Sequence, residues 1–221
     1  MLVPTDQQGE PMGAKDWMLF YASDDVSKVL RASPKIDREA TEAFVRRLYP
    51  SHDLTPIEDG NLHYGNPPEG TVYAGVFPGL SIICTWEAAG DSYTDLPAHF
   101  ITEAAGRTLY LHAMHSVVDF FSYAIWEPDG TLRRAYSLSP DSGVIADVGA
   151  PLPFEEKYRA GDPEFLESLD EGDEYPFRFH PLDLAEAALR ELFGFNYEGA
   201  WHDDDPELEE VVLAGYSVTP R

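Results

Sequence analysis

Between Val117 and Trp126, apolar and aromatic residues occupy both parities of an extended chain: Val117, Val118, Phe120, Phe121, Tyr123, Ala124, Ile125 and Trp126. A strand that is apolar on both faces has to be covered on both, so this stretch predicts the interior of a sheet or sandwich. It sits in the middle of three successive β-rich segments, Thr108 to Met114, Val117 to Glu127 and Thr131 to Ser139. Asp129-Gly130, between the last two, predicts a type I′ hairpin and therefore antiparallel pairing. A helix layer is the expected cover. The segment His180 to Gly194 supplies one, with Pro181 in the first turn, an apolar stripe through Leu182, Ala185, Ala188, Leu189, Leu192 and Phe193, and Gly194 as its stop. Glu186, four residues before Arg190, adds a favourable pair along that helix.

The N-terminal half divides in the same way. Trp17, Met18, Leu19, Phe20 and Tyr21 predict an opening strand from Ala14 to Ala22. Asp24 or Asp25 can cap a short helix through Val26, Val29 and Leu30; Asp37 can cap a second, whose Ala40, Ala43, Phe44 and Leu48 recur at helical spacing until Pro50. A strand is expected near Leu54 to Glu58, followed by a Gly/Asn/Pro-rich loop from Asp59 to Gly70. Val72 to Phe77 and Leu80 to Trp86, joined by Pro78-Gly79, form a second expected hairpin. Pro97 opens a short helix through Phe100, Ile101 and Ala104 that stops at Gly106. No internal repeat and no long linker interrupts the pattern, which predicts a single α+β domain with a largely antiparallel sheet, packed helices and acidic C-terminal loops. The boundaries expected are a polar extension at 1–11, the domain at 12–199 with an acidic loop at 161–174, and an acidic tail at 200–221.

Charge narrows the class of partner. Against 15 Lys and Arg stand 40 Asp and Glu, a net charge of -25 in 221 residues, which argues against a phosphate-tracking nucleic-acid binder or an anionic-membrane binder. With 43% hydrophobic and 13% aromatic residues the chain can still build a core. No apolar run approaches the roughly 18 residues that suggest a membrane-spanning helix, and the first 12 residues lack the basic and apolar regions of a signal peptide. Cys84, the one cysteine, lies in the apolar run Leu80 to Cys84. An intrachain disulfide and a multi-thiolate zinc site are thereby excluded, and a reducing, cytoplasmic setting is the economical expectation. Residues 161–174 carry seven acids and no base, and Asp203, Asp204, Asp205, Glu207, Glu209 and Glu210 add six more. Such runs solvate a surface or attract a basic protein partner. The six basic residues of the first helix pair, interleaved with Glu39 and Glu42, read as a solvated face.

Candidate chemistry centres on His112, His115 and Asp119, since imidazoles near a carboxylate can exchange protons or hold a metal. On a strand, His112 shares a face with Tyr110 and Met114, while His115 sits at the turn that follows. The polar loop Ser137 to Gly143 could bring Asp141 and Ser142, or Ser139, beside them if the strand ends converge, although Ser-Pro-Asp-Ser-Gly is turn chemistry at every position. The Gly-x-Ser-x-Gly elbow, the His-Glu-x-x-His pattern, the phosphate-binding glycine motifs and the alternating calcium loop are all missing from the sequence. No metal and no cofactor is expected.

Several strings together resemble an actinobacterial family of unknown function: Met12 to Leu19, Val72 to Gly79, Arg107 to Asp119, Ser137 to Gly143, Pro151 to Glu155 and His180 to Gly194. The likeness runs from Met12 to about Gly199 and implies one domain starting near Met12; it implies no activity. Two readings stand. One is a non-enzymatic binding or regulatory protein, inhibitor-like or immunity-like, whose acidic surface at Asp203, Asp204, Asp205, Glu207, Glu209 and Glu210 engages a basic protein. The other is a small hydrolase or acid/base enzyme centred on His112, His115, Asp119 and Asp141, with Ser142 as a further candidate.

Overall fold

A computed structural model of the chain describes residues 14–168 and 175–221. Among the described residues, nine antiparallel strands form one open sheet: β1 (Lys15–Ala22), β2 (His52–Asn61), β3 (Thr71–Phe77), β4 (Leu80–Thr85), β5 (Thr108–His115), β6 (Phe120–Trp126), β7 (Leu132–Ser139), β8 (Gly143–Val148) and β9 (Val212–Pro220). Their order across the sheet is β2-β9-β3-β4-β1-β5-β6-β7-β8, which puts β1 at the centre.

Alternation along β1 assigns its side chains to two cores. Trp17, Leu19 and Tyr21 face one way, onto Phe44, Val45 and Leu48 of α2 (Arg38–Leu48) and Phe100 of α3 (Ala98–Glu103). Met18, Phe20 and Ala22 face the other, onto Val26 and Leu30 of α1 (Val26–Arg31), Tyr158 of α4 (Glu156–Ala160) and the apolar stripe of α6 (Pro181–Phe193). Phe20 stacks on Phe193 at 4.1 Å between ring centroids, and Tyr21 meets Phe44 edge-on at 5.3 Å. Burying side chains of this size contributes about 1.5–3 kcal/mol each, so helix layers on both faces follow from a strand with no polar face. The single-domain α+β architecture thus matches the expectation, as does the cover of β6, buried along its whole length.

Helix starts follow their caps. Asp25 accepts from the Lys28 N–H at 2.9 Å and Asp37 from the Ala40 N–H at 3.0 Å, so each satisfies a backbone donor that its helix leaves open. Gly194 ends α6 in the left-handed region, as expected of a C-terminal glycine. Four of the bases on the first helix pair are tied to the chain's own carboxylates: Arg31 to Asp204, Arg38 to Asp59, Arg46 to Glu42 and Arg47 to Glu103.

Four details depart from the sequence expectations. The Asp129-Gly130 hairpin is antiparallel, but only Gly130 has a positive φ. The Gly130 N–H bonds the Glu127 carbonyl and the Glu127 N–H bonds the Thr131 carbonyl, which makes a type I turn with a glycine bulge in place of type I′. Pro128 explains this: flanking a type I′ turn at Asp129-Gly130 it would have to donate an N–H to Thr131, which proline lacks, whereas its fixed negative φ suits the first central position of a type I turn. Pro97 caps α3 and lies outside its first turn. The strand expected from Val117 begins at Phe120, after a short 3-10 turn at Ser116–Val118 and a left-handed Asp119. Finally, β2 runs through Pro56 to Asn61, into the expected loop; it is an edge strand, where a missing N–H is tolerated.

The largest departure concerns the chain end expected as an acidic tail. Val212–Pro220 is β9, paired with β2 on one side and β3 on the other. Leu213, Ala214, Tyr216 and Val218 are buried. The acids at 203–210 dominate the composition of this segment, whereas the apolar run from Val211 to Val218 decides its place, because it finds cover only inside the sheet. The acidic stretch before α6 contains α5 (Pro163–Ser168); Asp170, Glu171, Asp173 and Glu174 lie outside the described residues, as does the extension at 1–11. No helix of the described residues is long and apolar enough to cross a membrane.

Removing residues 212–221 is therefore expected to abolish the cooperative thermal unfolding transition, read by circular dichroism. A dispensable tail would leave the midpoint unchanged.

Candidate functional site

The five sequence candidates do not converge on one place. His112 is buried on the α6 face, where its Nδ1 lies 2.7 Å from Asp16 Oδ1 and its Nε2 lies 3.2 Å from the Ala185 carbonyl. A carbonyl only accepts, so Nε2 carries a proton, and the ring shares a further one with Asp16. Burial pushes the Asp16 carboxyl above its ordinary value, and the His112 ring opposes that. Asp119 lies elsewhere, accepting from the Tyr175 hydroxyl at 3.2 Å and facing His180 at 3.6 Å. Neither residue is among those lining the cavity that Asp141 borders.

His115, Asp141 and Ser142, by contrast, line one cavity of about 580 Å³. Its floor is the end of four neighbouring strands. Lys15 of β1 stands directly opposite His115 of β5, His115 stands opposite Phe120 of β6, and Ser139 ends β7 beside them. Trp17, two residues along β1, shares their face.

Local sequence explains the walls. The Trp17 N–H lies beyond the β1–β4 pairing and donates to the Gly65 carbonyl at 2.9 Å, which pins the loop carrying Asn66, Pro67 and Pro68 against the strand end. A Cβ at Gly65 would fall 2.9 Å from Met18 Sδ, so this approach needs glycine. After β4 the chain turns away at a 3-10 turn, Trp86–Ala88, capped by Thr85, and sets Trp86 against Trp17 with ring centroids 5.7 Å apart and planes at 84°. Trp86 remains 50% exposed. The Ser137 hydroxyl donates to the Asp91 carbonyl, which holds the next loop at the rim. Opposite, the Ser142 N–H donates to Ser139 Oγ and Gly143 takes a positive φ, so the Ser-Pro-Asp-Ser-Gly turn serves as turn and cavity wall at once.

His115 packs edge-on against Trp17 at 5.8 Å, and its buried Nε2 has no hydrogen-bond partner. Burial lowers its pKa, and the neighbouring Lys15 ammonium lowers it further, so the ring is neutral at pH 7. Sequence reasoning did not find Lys15, Trp17, Trp86 or Asn66; each acquires meaning only from strands and loops distant in the chain. Asp16 had a detectable signal, since a carboxylate in register with Met18 and Phe20 must be buried and needs a partner.

Two other polar clusters have structural explanations. Arg134 is fully buried, donating through Nε to Glu155 Oε1 at 2.8 Å and through Nη1 to Asp147 Oδ1 at 2.7 Å, while Tyr123 also donates to Glu155. Of the six acids proposed for a partner, Asp204 pairs with Arg31 and Asp205 with Arg190. His202, Asp204 and Asp205 cluster closely, but Arg190 already neutralises Asp205, and the cluster ties the segment before β9 to α6. Asp203, Glu207, Glu209 and Glu210 are exposed. Cys84 is buried, where burial pushes its thiol pKa upward and away from nucleophilic use.

The chain belongs to a family of unknown function, DUF6928, which it matches over residues 16–216. No curated protein and no solved structure matches it significantly.

Glu186 on α6 provides a test of the buried electrostatics. Burial raises its pKa to about 7, its Oε1 has no partner, and its Oε2 accepts the Tyr197 N–H at 2.9 Å. The folded protein thus binds more protons than the unfolded chain between the ordinary glutamate value and about 7, and this group costs stability as pH rises through that window. Glu186→Gln is expected to raise the melting midpoint at pH 8 and to leave it unchanged at pH 4, measured by differential scanning fluorimetry across pH.

Proposed function

With no activity to carry over from the family, we propose that the protein is a small-molecule-binding protein whose site is the cavity bounded by Trp17, Trp86, His115 and the β7–β8 turn. The observation that carries the reading is the half-exposed Trp86 set over a recess of about 580 Å³ that Trp17, His115 and Phe120 also line. Ligand sites fall in this size range and combine an apolar lining with a few convergent polar groups. Aromatic walls offer large contact area at small entropic cost, and the nearby polar groups of Asn66, Asp91, Asp141 and Ser142 can fix orientation. The alternative of an acid/base enzyme loses two members of its proposed constellation, His112 and Asp119, to other parts of the fold. What remains at the cavity, a neutral His115 without a bonded nucleophile or orienting carboxylate, supports binding better than catalysis.

A library of ring-bearing fragments screened by protein-observed NMR is expected to give binders that shift resonances of the cavity. Trp86→Ala should weaken such binders about tenfold or more. Because Trp86 is half exposed, the variant should keep the native fold. Binders that bypass the cavity, or a Trp86→Ala variant of unchanged affinity, would contradict the assignment.

A second reading concerns the exposed acids Asp203, Glu207, Glu209 and Glu210, which make no ion pair among the described residues and could attract a basic protein. Reversing those four charges is expected to slow association with a basic partner and flatten its salt dependence in stopped-flow measurements. Unchanged rates would remove the segment from the account.

A further inference from the structure

We infer that the cavity takes an organic cation, a methylated or quaternary ammonium group seated against Trp86 in the corner it makes with Trp17, with Asp91 and Asp141 supplying the countercharge. The inference rests on the reading of the cavity as a ligand site and names the chemistry of what fills it.

Trp17 and Trp86 both line the cavity, and their planes stand at 84° in an edge-on pair. The space beside such a pair is bounded by a face of each ring: Trp17, nearly buried, is the inner wall, and Trp86, half exposed, the outer one. The face of an aromatic ring is negative and attracts a cation, indole most strongly. The chain satisfies its own bases in this way on weaker rings. Arg47 lies over Phe44, Arg107 over Tyr21, Arg134 over Tyr136 and Lys157 over Tyr158. Among the described residues no base lies over Trp17 or Trp86, not even Lys15, which lines the same cavity. Two indoles are thus left without a cation at the wall of a recess.

Charge in the lining has the same sign preference. Asp91, after β4, and Asp141, in the β7–β8 turn, are exposed and make no ion pair among the described residues. Against these two carboxylates stands Lys15, while burial and the Lys15 ammonium keep His115 neutral. A ligand of one positive charge balances the excess, and the net charge of -25 draws cations toward the surface. The acids do not gather as metal ligands: among the described residues such a group forms at His202, Asp204 and Asp205, none of which lines the cavity. A small metal ion needs several oxygens in place of its water. A quaternary ammonium spreads its charge over methyl groups, loses little hydration against apolar walls, and a recess of about 580 Å³ has room for it.

Three probes of one shape separate the charges: choline, its neutral carbon isostere 3,3-dimethylbutan-1-ol, and the anion 3,3-dimethylbutanoate, each titrated into the full chain at pH 7 and low salt by protein-observed NMR. Choline is expected to shift resonances of the cavity and to bind about tenfold more tightly than the other two. Its affinity should fall as salt is raised, while that of the alcohol should not. Trp86→Leu, which keeps an apolar side chain, should cut the preference for choline over the alcohol about threefold or more, and so should Asp91→Asn combined with Asp141→Asn. Asp91 holds the rim through its backbone carbonyl, which asparagine retains; both variants are checked for native circular dichroism. Equal or tighter binding of the alcohol or the anion at the cavity would overturn the cation assignment and leave the cavity reading intact. A preference unchanged in either variant would overturn the assignment as well. Failure of choline to bind would overturn it in every case, and would take the cavity reading with it only if the ring-bearing fragments also bypass the cavity.

Discussion

The demand of β1 for cover on both faces organises this molecule. As the fifth of nine strands, Lys15–Ala22 is enclosed by β4 and β5, and seven of its eight residues are buried. Its odd positions call for α2 and α3, and its even positions for α1, α4 and α6. Its first three residues then do more than pack. Lys15 and Trp17 open onto the cavity, while Asp16, on the opposite face, meets His112 beneath α6. Strand β5 therefore carries two histidines of different character. His112 is enclosed and fully bonded; His115, three residues later on the other face, reaches a recess with a nitrogen left over.

Excess negative charge shapes the remainder. With 40 acids for 15 bases, most bases are committed within the chain, and the arginines in particular hold separate segments together. Arg134 is the extreme case, a buried guanidinium whose partners Glu155 and Asp147 join the segment after β8 to the sheet. Breaking a buried pair of this kind typically costs about 3–5 kcal/mol, because the remaining charge keeps its desolvation penalty. Arg190 performs a similar task at the surface of α6, drawing Asp205 and the loop before β9 toward the helix. Acidic runs that look like free surface in the sequence are thus partly consumed as attachment points.

Much of the fold was legible where local signals agree with the tertiary outcome. The opening strand, the Asp25 and Asp37 caps, the Pro78-Gly79 hairpin, the three strands from β5 to β7 and the Gly194 stop all combine periodicity with a specific cap or turn residue. β9 was obscured because the acids from Asp203 to Glu210 define the character of the segment by number, while its position depends on pairing with β2 and β3, strands more than 130 residues away. β8, with both faces partly or fully exposed, offers no alternation to read. At the site, His115, Asp141 and Ser142 were recognisable as polar residues at strand ends. Trp86 read as the end of an apolar strand; its role emerges only when Trp17, from another strand, stands edge-on to it.

The central claim, that a ligand occupies the recess beneath Trp86, is tested most directly by a crystal structure of the protein soaked with ring-bearing fragments. The expected result is ligand density between Trp86 and Phe120. Ligand density found only elsewhere, with the recess filled by ordered water, would contradict it.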